Sequence, residues 1–311
     1  MKKNEIKNNK AKPFLKWAGG KNQLLPEIDK ILPIEIKFYD FTYIEPFVGG
    51  GAVMFSILQK YPNIKNVFIN DINVDLMNAY RVVKEHVENL IKILQKWEKE
   101  YHLLWDTPNR KEEYYYSKRD LFNKRISDKT TQTALFIFLN RTCFNGLYRV
   151  NRRDEFNVPI GSYKKPMICD EKNLRAVNKL LQKVIILNED FEQTLKYAKE
   201  NTLFYFDPPY KPLSETSSFN SYTKYEFSDK EQIRLAEFCK KIDLLGYRWI
   251  LSNSDVKGKE PNNNFFDALY KQFNIKRVYA RRNINSNPNK RGELTELLIT
   301  NYSHEKIMSI A

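Results

Sequence analysis

The stretch that decides the fold is Tyr43-Ile44-Glu45-Pro46-Phe47-Val48-Gly49-Gly50-Gly51. A short β-prone run ends in an acidic residue, and a glycine-rich turn then leads into a helical pattern. Glycine suits such a turn because it adopts positive φ and because its missing Cβ lets a ligand lie close to the backbone. The stretch therefore predicts a strand, a turn and a helix that together bind a nucleotide-type ligand.

Further β-prone runs recur along the chain, most of them followed by an amphipathic stretch. They lie at Val67–Ile69, Val184–Leu187, Leu203–Phe206, Arg248–Leu251, Ile275–Tyr279 and Leu294–Thr300. Strands that alternate with helices predict an α/β fold with a mostly parallel, doubly wound sheet. The last two runs are too close in sequence for a crossover helix, so we expect them to pair antiparallel.

The alternation breaks between the second and third predicted strands. A long charged helical pattern covers Val74–Glu100, a buried helix is predicted over Thr131–Asn140, and Arg141–Lys165 is predicted to be an exposed hairpin or loop. We therefore expect residues 1–73 and 170–311 to form the sheet domain and residues 74–169 to form an inserted unit.

Composition limits the function classes. The 311 residues include 52 Lys and Arg against 38 Asp and Glu, a formal charge of +14, which suits a nucleic-acid partner, although biased codon usage explains it equally well. The three cysteines form no C-x-x-C pair, so no zinc site or disulfide framework is predicted. Because no apolar run approaches the ~18 residues of a membrane span, and residues 1–12 lack an apolar core, we expect a cytoplasmic protein.

The glycine turn and Asp71 predict a ribose-containing ligand. Asp71 stands two residues after a predicted strand, where an acid accepts hydrogen bonds from ribose hydroxyls. A dinucleotide fits less well, since the G-x-G-x-x-G spacing fails at Met54 and Glu45 would lie near the pyrophosphate. S-adenosylmethionine carries a sulfonium and an ammonium, which acids such as Glu45 and Asp207 would attract. The loop alone leaves open a turn beside a structural aspartate.

The most informative run is Asp207-Pro208-Pro209-Tyr210, directly after a predicted strand. It suits methylation of an exocyclic amine such as adenine N6, whose lone pair is delocalised into the ring: the Asp207 carboxylate and the Pro208 carbonyl would accept both N6 hydrogens and favour the transition state. The prolines hold that carbonyl free, and Tyr210 would stack on a base extruded from the duplex. The sulfonium is a strong leaving group, so no metal is required. A proline-rich turn is the alternative.

Together with Phe14-Leu15-Lys16-Trp17-Ala18-Gly19-Gly20-Lys21, these motifs resemble the Dam-type DNA adenine-N6 methyltransferases of the D12 class, alpha group. The resemblance runs from Phe14 to Leu298. It implies a seven-stranded, mostly parallel Rossmann-like methyltransferase sheet with a helical DNA-recognition insertion, S-adenosylmethionine as cofactor, double-stranded DNA as partner, and no metal. It also implies that the cofactor is bound by Trp17, Lys21, Glu45, Phe47, Gly49, Asp71, Asp190, Phe191 and Asp207.

Within the insertion, the runs 144–149 and 155–159 resemble the recognition hairpin of that family. The resemblance implies that Arg149 binds guanine O6 and N7, that Phe144 wedges where the flipped adenine leaves the stack, and that Lys16 contacts a flanking guanine. Taken without the family, such a hairpin is a solvated loop. The DNA-binding residues implied are Lys16, Phe144, Asn145, Arg149, Pro159 and Tyr163. Related enzymes read GATC, or longer sites beginning GAT, so we expect GATC.

Other functions stay open on the sequence alone. A methyltransferase for RNA or protein glutamine would carry a similar Pro-Pro-aromatic signature, a nicotinamide-dependent oxidoreductase is favoured only by the glycine turn and Asp71, and a non-catalytic DNA-binding module would make Asp207–Tyr210 structural. A restriction endonuclease acting on the same site is a further partner that the family suggests. An Asp207 carboxylate buried in an ion pair and pointing away from the glycine turn would refute the predicted chemistry.

Overall fold

The computed structural model describes residues 10–211, 227–258, 260–281 and 293–303. These residues form a seven-stranded sheet. Its strands are β1 (Phe41–Glu45), β2 (Ile64–Ile69), β3 (Val184–Ile186), β4 (Thr202–Phe206), β5 (Arg248–Ser254), β6 (Asn274–Arg281) and β7 (Glu293–Thr300). The order across the sheet is β3-β2-β1-β4-β5-β7-β6, parallel from β3 to β5, whereas β7 runs antiparallel to both β5 and β6. The predicted α/β fold, its mostly parallel sheet and the antiparallel final pair are confirmed.

The sheet has a topological switch point between β1 and β4. β2 and β3 extend the sheet on one side of β1, and β4 and β5 extend it on the other, with Ile44 of β1 paired to Phe204 of β4. Open α/β sheets bind ligands in the crevice at such a switch point, beyond the carboxyl ends of the strands. Glu45 ends β1 and Asp207 follows β4, so the topology places both acids at this crevice.

The two central strands are buried along their whole length. Because side chains alternate along a strand, Tyr43 and Tyr205 enter the hydrophobic cluster on one face of the sheet, while Ile44 and Phe204 enter the cluster on the other. Burial of each such side chain contributes about 1.5–3 kcal/mol to folding. The strand ends that carry the acids are therefore fixed by packing on both faces.

Helices cover both faces of the sheet. They are α1 (Leu25–Ile31), α2 (Ala52–Lys60), α3 (Val74–Glu85), α4 (Val87–Leu103), α5 (Pro108–Lys124), α6 (Lys129–Thr142), α7 (Glu171–Leu181), α8 (Asp229–Leu244) and α9 (Phe265–Leu269). α2 begins directly after the glycine turn, as predicted. Of the helices in the described ranges, none has both the length and the apolar character that a membrane crossing requires.

The continuous helical pattern predicted over Val74–Glu100 is in fact two helices, α3 and α4. The break lies at His86, whose φ of −131° and ψ of 31° are outside the helical range. α3 packs on β3, α6 and α7, whereas α4 packs on α6 and α7. The apolar spacing continues from Val82 through Leu90, so the pattern does not indicate the bend. The first helix of the predicted inserted unit thus contacts the sheet, and the boundary at residue 74 stays a prediction.

The buried helix predicted over Thr131–Asn140 is confirmed as α6. A hairpin follows it, as predicted, with Val150 paired to Phe156. The hairpin is not exposed throughout, because Tyr148 and Phe156 are buried against aromatic side chains of α5 and α6. Asp154 adopts a φ of 63° in its turn. Aspartate tolerates this left-handed conformation better than most residues.

Candidate active site

The Asp207 carboxylate is held through one of its two oxygens. Oδ1 lies 2.7 Å from Nζ of Lys21, whose side chain is only 5% exposed, and it also accepts a hydrogen bond from the Ser252 hydroxyl at 3.1 Å. Among the described residues, no donor binds Oδ2. Asp207 is therefore ion-paired but keeps one oxygen available to a substrate.

This ion pair lies near Glu45, the acid that ends β1 directly before the glycine-rich segment. Lys21 and Asp207 both act electrostatically on Glu45, which ends β1 and is 2% exposed. Burial raises the pKa of Glu45 well above its usual range, the hydrogen bond from the Tyr43 hydroxyl at 2.7 Å opposes that shift, and the nearby Asp207 charge adds to it. Burial also raises the pKa of Asp207, with Lys21 opposing the shift. Asp207 is therefore in an ion pair, and that pair lies near the acid that leads into the glycine turn.

The glycine turn needs glycine for both conformation and space. Gly49 and Gly51 have φ values of 48° and 76°. A Cβ at Gly49 would lie 2.9 Å from Cδ1 of Trp17, and one at Gly51 would lie 2.6 Å from the Tyr80 hydroxyl. That hydroxyl donates to the Gly49 carbonyl at 3.0 Å. Trp17, a predicted cofactor residue, is thus packed directly on the turn.

We expect Gly49→Ala to weaken binding of S-adenosylmethionine, the cofactor predicted from the sequence, at least about tenfold, because the new methyl group must displace the Trp17 ring. The left-handed backbone should also lower the free energy of unfolding by about 1–2 kcal/mol. Gly246→Ala is the matched control: Gly246 has a φ of 78°, yet a Cβ there would meet nothing within 4 Å. Calorimetric titration and denaturation should show a similar stability loss in both variants and a loss of affinity in Gly49→Ala alone; equal affinities would contradict the assignment.

Asp71 is joined to the glycine turn, as the predicted ribose site requires. Its Oδ2 accepts the Gly49 N–H at 3.2 Å, and its Oδ1 accepts the Asn73 N–H at 3.0 Å. The side chain is half-buried, and burial raises its pKa to about 6 although these backbone hydrogen bonds oppose the shift. Asp71 is therefore a carboxylate whose charge depends on pH near neutrality.

Sequence reasoning missed the neighbouring Asn70, which is 1% exposed. Its Nδ2 donates to the Pro46 carbonyl at 3.1 Å and to the Glu189 carbonyl at 2.9 Å, while its Oδ1 accepts the Glu189 N–H at 2.9 Å. One side chain thus ties together the segments that follow β1, β2 and β3. Its position next to Asp71 was the only signal, and an asparagine at a strand end is an ordinary loop residue.

The aromatic residues predicted at the cofactor lie together. The Phe47 and Phe191 ring centroids are 5.3 Å apart. Asp190, which was also predicted to bind the cofactor, is bound to other residues of the chain. It accepts the Glu192 N–H at 3.0 Å as a helix cap and forms an ion pair with Arg234. The Arg234 guanidinium also lies 4.3 Å from the Phe191 ring centroid. Asp190 therefore helps to hold in place the Phe47 and Phe191 rings, which we call the aromatic wall.

The tetrad presents a free acceptor next to Asp207. Within the described residues, the Pro208 carbonyl accepts no hydrogen bond, whereas the Pro209 carbonyl accepts Nε2 of Gln232 at 3.1 Å. The Tyr210 hydroxyl donates to Glu296 at 2.8 Å, and Nζ of Lys21 lies 4.4 Å from the Tyr210 ring centroid. Sequence reasoning missed both Gln232 and Glu296. No three His, Cys, Asp or Glu side chains in the described ranges are grouped to hold a metal ion.

The residues predicted to bind DNA are gathered around the hairpin. Nζ of Lys16 lies 3.2 Å from the Tyr163 hydroxyl and 4.4 Å from the centre of that ring. Phe144 is 51% exposed, and its N–H donates to the Pro159 carbonyl at 2.9 Å. Asn145 is also exposed, with a φ of 54°. These side chains form one surface that a duplex could reach.

Arg149 completes that surface. Its Nε donates to Asn157 Oδ1 at 2.8 Å and its Nη2 to the Asn157 carbonyl at 3.5 Å, and no carboxylate of the described residues pairs with it. Both bonds lie on one edge of the guanidinium, so the other edge still has N–H groups to donate. The geometry therefore allows the bidentate contact predicted for this residue.

A fully buried asparagine, missed by sequence reasoning, joins this surface to the N-terminal motif. Asn140 accepts the Lys16 N–H at 2.8 Å and donates to the Lys16 carbonyl at 2.8 Å and the Gly146 carbonyl at 3.0 Å. The Lys16 side chain crosses directly over Gly146, where a Cβ would lie 2.2 Å from its Cδ. Lys16 and Trp17 are consecutive, so Asn140 links Trp17, a predicted cofactor residue, to the hairpin.

Comparison with known proteins identifies the family. Residues 17–284 match the model of the D12 class N6 adenine-specific DNA methyltransferases. The chain is 54% identical to the type II methyltransferase M.MjaIII of Methanocaldococcus jannaschii, over 94% of this chain and 99% of that protein. It is 36% identical to a DNA adenine methylase of Haemophilus influenzae, over 93% of each chain, and 33% identical to that of Escherichia coli K12, over 94% and 95%. The chain belongs to the D12 class of N6 adenine-specific DNA methyltransferases.

Proposed function

We propose that this enzyme transfers a methyl group from S-adenosylmethionine to N6 of an adenine flipped out of duplex DNA, within GATC. The observation that carries the proposal is a pair of acceptors, Asp207 Oδ2 and the Pro208 carbonyl, that no donor of the described residues occupies and that lie at the switch point of the sheet. Membership of the family supports the reaction type. Because the substrate is DNA, we also propose that the enzyme acts in the cytoplasm.

The residues at the crevice fit a cationic methyl donor. Asp207 pairs with the Lys21 ammonium, and Glu45 and Glu296 add two acidic side chains that act electrostatically on Asp207 or are acted on by it. A ligand with a sulfonium and an ammonium would relieve this excess of negative charge, whereas the pyrophosphate of a dinucleotide would add to it. When bound, S-adenosylmethionine supplies an electrophilic methyl group on a good leaving group.

Family resemblance and geometry together suggest how the remaining residues hold this cofactor. Glu45 and Phe47 would flank its methionine portion with Trp17 and Lys21 nearby, Asp71 would bind the ribose, and Gly49 leaves room for close approach. Asp190 and Phe191 would lie at its adenine, Phe191 by direct contact and Asp190 through the ion pair with Arg234 that holds the aromatic wall.

The chemistry required of the protein is to make adenine N6 nucleophilic. Oδ2 of Asp207 and the Pro208 carbonyl would each accept one N6 hydrogen and draw the nitrogen toward tetrahedral geometry. Lys21 favours the ionised form of Asp207 against the effect of burial, so a carboxylate faces the positive charge that develops on N6. The same Oδ2 is placed to take the proton that N6 loses. Tyr210 would stack on the extruded base.

The test is a methyl-transfer assay with the purified chain and labelled S-adenosylmethionine. Substrates are a GATC duplex, duplexes in which each base pair of GATC is changed in turn, an RNA of the same sequence and a protein extract. We expect N6-methyladenine in the GATC duplex alone. Label only in RNA or protein would overturn the reaction class, while methylation of duplexes that lack GATC would overturn the site.

A restriction endonuclease that cuts the same site is a further proposed partner. The relative from Methanocaldococcus jannaschii is named a type II methyltransferase, which favours this pairing over a regulatory role. Cells that express the chain should then hold DNA resistant to an endonuclease that cuts the same sequence when it is unmethylated, and sequencing of their methylated bases would identify that sequence. DNA that stays sensitive despite methylation elsewhere would remove the support.

We expect cofactor affinity to fall as pH drops below about 6, because Asp71 has its pKa raised to about 6 and only its ionised form accepts two ribose hydrogen bonds. Protonation of Asp71 by itself should raise the dissociation constant about tenfold per pH unit below that value. Asp71→Asn is the control: it should bind weakly at all pH values and lack the inflection near pH 6. If the variant keeps the inflection, another group is responsible.

A further inference from the structure

The Pro209 carbonyl is held by a side chain whose own orientation is fixed. Gln232 of α8 is fully buried, and its Nε2 donates to that carbonyl at 3.1 Å. Its Oε1 accepts Nδ2 of Asn253 at 3.1 Å, and Oδ1 of Asn253 in turn accepts the Ser254 N–H at 2.8 Å. Because the backbone N–H can only donate, it sets the Asn253 amide, which then sets Gln232 so that its NH2 points at Pro209.

The Tyr210 ring is held from two other directions. Its hydroxyl donates to Oε2 of Glu296 on β7 at 2.8 Å, and Nζ of Lys21 lies 4.4 Å from the ring centroid. The hydroxyl bond holds the tip of the ring in place, and the ammonium covers one of its two faces. A purine would stack on the opposite face.

We propose that Gln232 and Glu296 are positioning residues for methyl transfer, which hold the Pro209–Tyr210 half of the tetrad so that the Pro208 carbonyl and one face of the Tyr210 ring are presented to the target adenine. Neither residue touches the reacting atoms. Both act through the tetrad, and both lie on elements, α8 and β7, that are distant from it in sequence. The inference rests on the proposed function and adds the residues that align its substrate.

The physical reason is that the acceptor must meet N6 at a defined angle. The prolines fix φ, but the peptide between Pro208 and Pro209 still turns with ψ of Pro208, and anchoring the next carbonyl limits that motion. Misplacing a reacting group by about 1 Å can reduce the rate about a hundredfold. Loss of one anchor should therefore reduce the rate of the chemical step and leave ligand affinity almost unchanged.

The first test is a double-mutant cycle on Glu296 and Tyr210, read as the single-turnover rate of methyl transfer to duplex DNA. We expect Glu296→Leu and Tyr210→Phe each to lower the rate about tenfold, and the double variant to be no slower than the slower single one, because both remove the same hydrogen bond. Dissociation constants for DNA and S-adenosylmethionine should stay within about twofold of wild type. Additive losses would overturn the Glu296 half.

Glu296→Gln separates the hydrogen bond from the charge. Its amide oxygen still accepts from the Tyr210 hydroxyl, so we expect it to retain most of the wild-type rate. If Glu296→Gln is as slow as Glu296→Leu, the charge near Asp207 matters and the positioning role is wrong.

The second test uses the protonation of a substituted side chain. Gln232→Met should lower the single-turnover rate about tenfold. Gln232→Glu can donate to the Pro209 carbonyl only when protonated, so its rate relative to wild type at the same pH should rise as pH falls. Gln132→Met is the matched control, since Nε2 of Gln132 also donates to a backbone carbonyl, that of Phe122 at 2.9 Å, far from the tetrad in the chain.

The activity of the wild-type chain distinguishes failure of the proposed function from failure of the positioning role. If the wild-type chain transfers no methyl group to adenine in DNA, the proposed function fails. If the wild-type chain is active, the rate of Gln232→Met is compared with that of Gln132→Met after circular dichroism has shown that both variants are folded. Equal rates mean that only the positioning role of Gln232 fails. A relative rate of Gln232→Glu that does not change with pH would also overturn that role.

Discussion

Asp207→Ala is expected to lower the rate of methyl transfer by about 10²–10³-fold, because it removes the group that we propose faces the charge developing on N6. DNA affinity should stay within about threefold of wild type, since the residues proposed to contact DNA lie on the hairpin and at Lys16. Single-turnover transfer of labelled methyl groups and a gel-shift titration would measure the two quantities. Turnover within tenfold of wild type would refute the role of Asp207.

The same substitution should also destabilise the protein, and this loss of stability has to be separated from the loss of catalysis. Lys21 is 5% exposed and pairs with Asp207 at 2.7 Å, so Asp207→Ala leaves a buried ammonium without its partner. Breaking such a pair from one side costs about 3–5 kcal/mol. The double variant Lys21→Met/Asp207→Ala should recover most of that stability and none of the activity.

Asp207→Asn supplies a milder comparison. The amide oxygen can still accept from Lys21 and Ser252, so the fold should be closer to wild type in stability, but the NH2 group would replace the free acceptor with a donor. We therefore expect Asp207→Asn to be nearly as inactive as Asp207→Ala. Recovery of activity in the stable variants would show that unfolding, and not chemistry, explains the loss in Asp207→Ala.

The parts of the fold and site that could be predicted are those whose residues lie together in one short run of the sequence. Residues 43–51 contain a strand, an acid and a turn in one run, and Asp207–Tyr210 follows a buried strand directly. Parallel strands that alternate with helices then bring the two runs to one edge of the sheet. Local pattern and topology therefore suffice to place Glu45, Asp71 and Asp207 in one crevice.

The missed features depend on contacts between distant segments. Asn140 binds the backbone of Lys16, 124 residues away, and Asn253 binds Gln232 across elements α8 and β5. Buried asparagine and glutamine side chains satisfy backbone groups that have no partner in their own strand or helix, and sequence spacing does not reveal which groups those are. For the same reason the pattern identified Asp207 as an acceptor but did not reveal that Lys21 already occupies one of its oxygens.

Arg149→Ala is expected to relax sequence preference more than it weakens binding. The Arg149 guanidinium is held on one edge by Asn157 and is free of carboxylates among the described residues, so its remaining N–H groups can bind guanine O6 and N7. Loss of a bidentate base contact costs about 1–3 kcal/mol of discrimination, which is about a 5- to 150-fold reduction in the preference for the cognate base. Methylation rates on duplexes that differ from GATC at one base pair would measure that reduction position by position.

Two control variants separate base recognition from charge. Arg149→Lys keeps the cation but lacks the planar fork, so it should lose most of the discrimination while keeping the affinity. Arg152→Ala removes an exposed arginine of the same hairpin, and it should weaken binding to all duplexes equally and reduce the slope of log affinity against log salt by about 1. If Arg149→Ala behaves like Arg152→Ala, with a uniform loss on every duplex, Arg149 contacts phosphate and the base reader lies elsewhere on the surface around Phe144.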